Sequence, residues 1–228
     1  MRTSESYFYD MKCSDLNHVP NPETFLEEII MGDSINKISH PDFASRSSAS
    51  NQSCCFVSAE GAVVKPPVRI GRGVVIDRGV LIEEGVFIGH NTVVREGVKL
   101  YRGATVGHNV VIEAFTSIGE ETTIQSQCHI TKNAVIGPCS YFGPCVVMIN
   151  DQTLSSVKGR PGTPRLVGPR IGRGVRIGAG ALIMPGVSIG DNAFIGAGSV
   201  VTKDVPSGQM WFGSPATYRR EVPKDEWI

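Results

Sequence analysis

The sequence predicts an all-β protein, a solenoid of short parallel strands, on two observations. An aliphatic or large apolar residue recurs at every sixth position from Ile70 to Met148 and again from Ile171 to Val201. Four residues after each member of the first run, up to Phe142, sits something small or β-branched, from Val74 and Val80 through Thr92, Ala104, Thr122 and Cys128 to Val146. A period of six fits neither an α-helix nor a flat sheet, so the chain winds into repeating coils. Three strands per turn make a triangular coil of eighteen residues with the sixth-position aliphatics stacked inside.

Residues 1–57 do not repeat. Within them Asn21–Ile30 has a cap, a proline at the first helical position and early acidic residues, and reads as a brief helix. Ser45–Cys55 is rich in Ser and Asn and reads as a linker. The repeat spans 58–201, weak near Ser58, with Val64 and Val68 in phase, and regular from Ile70. Residues 150–170 break it; their glycines, prolines and basic residues mark a loop excluded from the coil, because proline cannot sit in a central strand. Two further coils follow, and residues 202–228 form a tail that caps the open end.

The chain has 228 residues, enough for one domain with a continuous core. Its 22 basic and 22 acidic residues balance, and no basic run stands out, which argues against nucleic acid or an anionic membrane as partner. The amino terminus lacks the apolar core of a signal peptide and no window approaches a membrane span, so a cytoplasmic location is expected. Six cysteines (13, 54, 55, 128, 139, 145) contain no CxxC pair and signal neither a disulfide framework nor a zinc cluster; Cys128 fills a small-residue slot and packs inward.

Residues eighteen apart stack roughly 4.8 Å from one another. The turn residues two past each aliphatic therefore form three columns. One runs Arg72, His90, His108, Ser126, Pro144 and, if the loop leaves the phase intact, Ala179 and Ala197. Another runs Arg78, Glu96, Ala114, Lys132, Asn150, and the third Glu84, Arg102, Glu120, Pro138. The first column has two imidazoles at one end and a strip of tiny residues at the other, bare backbone against which a thin ligand arm can lie.

From Val106 to Ala216 the chain resembles the nucleotide-sugar N-acetyltransferases of the left-handed β-helix superfamily. The resemblance rests on GHNVVIE (107–113), IQSQCHI (124–130), GPCVVMIND (143–151), the Pro/Arg loop, IGDNAFIGAGSVVTKDVP (189–206) and GSPA (213–216). It implies a left-handed parallel β-helix, acetyl-CoA as acyl donor, no metal, and homotrimers with active sites between subunits. It implies an amino group on a dTDP- or UDP-linked amino-sugar as acceptor. Asn150 would hold the amino-sugar near the thioester, Gln125 and Gln127 would contact the sugar or its diphosphate, and Asp151 would orient a sugar hydroxyl. Gly178, Ala179 and Ala197 would line the pantetheine, the two alanines lending it backbone amides, with Lys203 near the CoA phosphates and Pro215 over the adenine. Several 3-amino-sugar enzymes carry AHG, with a catalytic histidine, where this chain has Gly143-Pro144-Cys145.

Acyl transfer to an amine needs a neutral amine, a near-attack geometry and donors for the developing oxyanion. Positioning contributes about 7–11 kcal/mol at best, and a general base typically about 10²–10⁴-fold. His108 is the best candidate base, since GHN resembles the catalytic motif of lipid A acyltransferases. His129 projects from a flat face and could reach a neighbouring subunit. O-acylation of a sugar or small metabolite is the alternative within transferases. A γ-type carbonic anhydrase using His90, His108 and His129, and a non-catalytic scaffold, are the alternatives from other classes.

Overall fold

A computed structural model describes residues 56–58, 61–153 and 166–228. The expected helix at 21–30, the linker at 45–55 and the middle of the loop lie outside these residues. The described chain is a parallel β-solenoid whose strands, mostly two residues long, stack into three sheets of eight, seven and nine strands. Sheet A holds Val93–Val94, Val111–Ile112, His129–Ile130, Val147–Met148 and their equivalents above and below. Sheet B holds Lys99–Leu100, Ser117–Ile118 and Val135–Ile136, and sheet C holds Thr105–Val106, Thr123–Ile124 and Tyr141–Phe142.

In each two-residue strand of the regular repeat the second residue points inward. Every member of the sixth-position series except Ile70 is buried, at 4% exposure or less. The slot four residues later does a second job. Thr92 Oγ1 donates to the Gly107 carbonyl (2.8 Å) and accepts from the Val110 N–H (3.2 Å). Thr122 bonds Gly137 and Ser140 in the same way, and Ser140 bonds Gly172 and Val175. A small side chain is required there because it must fit inside the bend, and a buried hydroxyl is tolerated because the next coil supplies both its acceptor and its donor.

The third residue past each aliphatic turns the corner with positive φ. Glycine or asparagine takes most of these places, but Phe115, Glu121, Gln127, Cys139 and Cys145 do so with φ between 54° and 63°. We call the corner between sheets C and A corner one, that between A and B corner two, and that between B and C corner three.

The pairing offset of eighteen (Val111 with His129) becomes thirty-five across the loop (Val135 with Arg170, Tyr141 with Arg176, Val147 with Leu182). The phase survives the insertion, so Ala179 and Ala197 do extend the column of Pro144: the Gly180 N–H donates to the Pro144 carbonyl and the Gly198 N–H to that of Ala179. The loop leaves at Asn150 and returns at Val167, whose N–H donates to the Asn150 carbonyl while its own carbonyl accepts from Gly186.

At the amino-terminal end the coil starts earlier than the repeat suggests. Phe56–Ser58 pairs with Val74–Ile76, and Ser58 falls opposite Ile76, in a slot elsewhere filled by an aliphatic residue. At the other end Gln209–Gly213 adds a parallel strand beside Phe194–Ile195, then Ala216–Glu221 returns antiparallel. The chain finishes back along the coil, where Glu226 pairs with Arg176 (2.8 Å) and the Ile228 N–H donates to Asn192. Cys139 is disulfide-bonded, which the cysteine spacing did not signal, whereas Cys128 and Cys145 are free. No helix among the described residues is long and apolar enough to cross a membrane.

Candidate active site

Corner one carries a ladder of side-chain to backbone bonds. The Arg72 N–H donates to His90 Nδ1 (2.7 Å), the His90 N–H to His108 Nδ1 (2.8 Å) and the His108 N–H to Ser126 Oγ (3.1 Å). Each corner amide is thus met by the side chain one coil above. Above Ser126 the acceptors stop, because Pro144, Ala179 and Ala197 have none to offer. Among the described residues nothing accepts from the N–H of Ser126, Ala179 or Ala197, and both alanines are exposed.

The space there is open. A side chain built on Gly180 or Gly198 would meet nothing within 4 Å. Gly178 by contrast is required by packing, since a Cβ would run into the backbone nitrogen of Ala197. Phe212, on the added strand, lies against Gly196 and packs edge-on to Phe194 at 5.9 Å, closing the upper end of this strip. Pro215 is exposed in the turn that follows.

The imidazoles of His90 and His108 are stacked, with centroids 5.1 Å apart and planes 17° from parallel. A ring nitrogen that accepts a backbone N–H carries no proton, so in both residues the proton of the neutral ring sits on Nε2. His108 therefore presents a donor to solvent. Gln127 accepts from the Cys145 thiol at 3.3 Å, and Gln125 is half-buried on the same coil. Cys128 packs inward as expected: it donates to the Gly143 carbonyl at 3.2 Å, and burial pushes its thiol up to about 11.

Asn150, Asp151 and Lys203 are not on this corner. Asn150 stands above Lys132 at corner two and donates from Nδ2 to the Lys132 carbonyl (3.4 Å), replacing a corner amide carried away with the loop. Asp151 Oδ1 accepts from the N–H and hydroxyl of Thr153, both at 2.8 Å. Lys203, two past Val201, is exposed at the same corner. His129 lies between the two corners on the outer surface of sheet A, level with Val111 and Val147. The predicted residues thus fall into two groups at opposite edges of one face, with His129 midway. Among the described residues no three His, Cys, Asp or Glu side chains converge as a metal site.

That face is apolar: its outward residues are Val75, Val93, Val111, His129, Val147, Leu182 and Val200. A shallow groove lined by Arg170, Ser188, Asp204 and Val205 lies on sheet B, away from both corners. The sequence reading gave the backbone amides of Ala179 and Ala197 to the pantetheine by resemblance, but did not single out the unmet amide of Ser126 or the packing of Phe212. The amide of Ser126 was visible in the change from Ser126 to Pro144 in one column; the packing of Phe212 depends on how the tail folds back.

Residues 79–114 and 168–203 match the family profile for the bacterial transferase hexapeptide (six repeats). The matched stretches are two blocks of the repeat, and they make the chain similar to that family over those residues. A galactoside O-acetyltransferase of Lactococcus lactis subsp. lactis (strain IL1403) is 50% identical over 48 residues, 21% of this chain and 23% of that protein. The galactoside O-acetyltransferase of Escherichia coli (strain K12) is 32% identical over 133 residues, 48% of this chain and 66% of that protein. The chain therefore spans less than two thirds of each. The crystal structure of the polySia specific acetyltransferase NeuO shares the fold, with a TM-score of 0.54 at 23% identity over 73% of this chain and 87% of that one.

Proposed function

We propose that the protein is an acetyl-CoA-dependent acetyltransferase that acetylates an amino group on a dTDP- or UDP-linked amino-sugar. The observation that carries the donor half is the interrupted ladder of corner one. Its unmet N–H groups at Ala179 and Ala197 suit the amide carbonyls of a pantetheine arm, and Gly178, Gly180 and Gly198 keep the strip narrow enough to take one. The free N–H of Ser126, one coil below Pro144, is a donor for the charge that develops on the thioester oxygen.

The acceptor half rests on corner two. Asn150 and Lys203 can share a site with Ala179 and Ala197 only if corner two of one copy meets corner one of another. An apolar sheet A between those edges suits a closed, head-to-tail ring, and a homotrimer is the arrangement we assign. His129 then lies in the interface, and Asp151, Gln125 and Gln127 flank the acceptor. An amine that arrives neutral needs no base before attack, which agrees with His90 and His108 offering donors instead of a free ring nitrogen. The O-acetyltransferase relatives favour a second reading, transfer to a sugar hydroxyl, in which His129 is the available base.

Thiol release from acetyl-CoA against dTDP-, UDP- and GDP-linked 2-, 3- and 4-amino sugars, with galactosides alongside, separates the two. Release with an amino-sugar alone is the expected result. Release with galactosides alone selects the second reading, and absence of CoA binding overturns both.

A further inference from the structure

Charge on this neutral chain is sorted by corner. The acidic residues of the first coils, among them Asp77, Glu83, Glu96 and Glu120, lie at corners two and three and pair with Arg95, Lys65, Arg78 and Arg102 at 2.9–3.5 Å. Corner one has no carboxylate at any turn position from Gly71 to Gly198, and neither do the outward positions of the sheets that flank it, from Arg69 to Phe194 and from Val75 to Val200. Its amino-terminal end carries Arg72, His90 and His108 on successive turns, with Arg69 and Phe87 on adjoining strands of sheet C. The Arg69 guanidinium sits 5.2 Å from the Phe87 ring centroid, and Phe87 meets His108 edge-on at 6.4 Å. Among the described residues no carboxylate pairs with either arginine.

The backbone ladder gives this cluster its direction. Because both Nδ1 atoms accept backbone N–H groups, the Nε2–H of each ring remains as a donor without the ring having to be charged. Two stacked imidazole donors, the Arg69 guanidinium over an aromatic ring and the Arg72 guanidinium at the same corner form a surface for an anion with several acceptor oxygens. His108 lies three coil steps from Ala179, about 14 Å. That separation suits a molecule whose reacting end is at the pantetheine tip and whose charged end lies further down the corner.

We propose that Arg69, Arg72, His90 and His108 form a subsite for the phosphate groups of the acceptor, at the opposite end of corner one from the donor strip. The proposal rests on the transferase reading for the word acceptor, but not for the anion site itself. CoA also carries a diphosphate, and the test separates the two sources.

Inorganic pyrophosphate and UDP are titrated calorimetrically into the full-length protein, with and without saturating CoA, and uridine serves as the uncharged control. His108→Ser keeps the ladder, since a serine hydroxyl already accepts the amide one coil above, and removes the outward donor. Arg72→Met leaves every ladder bond in place. Each substitution is expected to weaken pyrophosphate and UDP binding by about tenfold, with CoA affinity and unfolding temperature unchanged. CoA should not displace pyrophosphate.

Equal affinities in wild type and both variants overturn the subsite. So does displacement of pyrophosphate by CoA accompanied by weaker CoA binding in the variants, because the cluster then serves the donor. Thiol release with a neutral amino-sugar by a protein that ignores pyrophosphate overturns the subsite and leaves the transferase reading standing. Pyrophosphate binding that depends on Arg72 and His108, in a protein that does not bind CoA, supports the anion site and overturns the transferase reading alone.

Discussion

Tyr101 and Cys128 hold their protons more tightly in the folded chain than in the unfolded one. Burial, with Glu83 nearby, moves Tyr101 from 10.0 to about 12, and burial moves Cys128 from 9.0 to about 11. The unfolded state therefore gives up these protons first as pH rises. Their contribution to stability is complete below about pH 9 and is lost progressively as pH climbs towards 12. Denaturant unfolding at neutral pH and at about pH 11 should show a fall in stability that Tyr101→Phe makes shallower. An unchanged slope in that variant would remove Tyr101 from the account. At this scale the sequence was readable where a residue's role follows from its slot, as for inward-facing Cys128. It was not readable for the disulfide of Cys139, because spacing along the chain does not report which thiols meet in space.

The element that matters most is the corner, one turn repeated up the stack. In the lower turns of corner one its rule is that the side chain two past an aliphatic accepts the amide of the turn below, and breaking that rule leaves a donor. Ala197→Ser restores the rule by giving the Ala179 N–H a hydroxyl of the kind Ser126 gives His108. One ligand hydrogen bond is then replaced by an internal one. We expect CoA binding to weaken about 3–10-fold while the unfolding midpoint holds or rises. Fluorescence or calorimetric titration of CoA checks it, and unchanged affinity would mean the pantetheine does not use that amide. The columns themselves were legible, because an eighteen-residue stack follows from the period alone. That the coil begins at Phe56, ahead of the repeat's first position, was not, since backbone pairing leaves no mark in composition.

At the scale of the whole molecule, the proposed site exists only between copies. Subunits carrying Asn150→Ala and subunits carrying Ala179→Trp should each be inactive alone, yet regain part of the thiol-release rate when unfolded together and reassembled. In a mixed trimer some interfaces join an intact corner one to an intact corner two. No recovery would place both groups in separate roles. Overall charge, 22 basic against 22 acidic residues, speaks to nucleic acid and membranes, but the sum is indifferent to which corner each residue occupies.

The loop between Asn150 and Val167 has a consequence of a different kind. It enters and leaves one corner, and the coils on either side pair as though it were absent. Its length and composition are therefore mechanically uncoupled from the stack, since lengthening it adds only the slowly growing entropy of loop closure. The solenoid works like a ruler with a socket in its side. The graduations that would grip a common donor are fixed by the repeat, while what is plugged in beside Asn150 can change from one lineage to the next without the fold registering it.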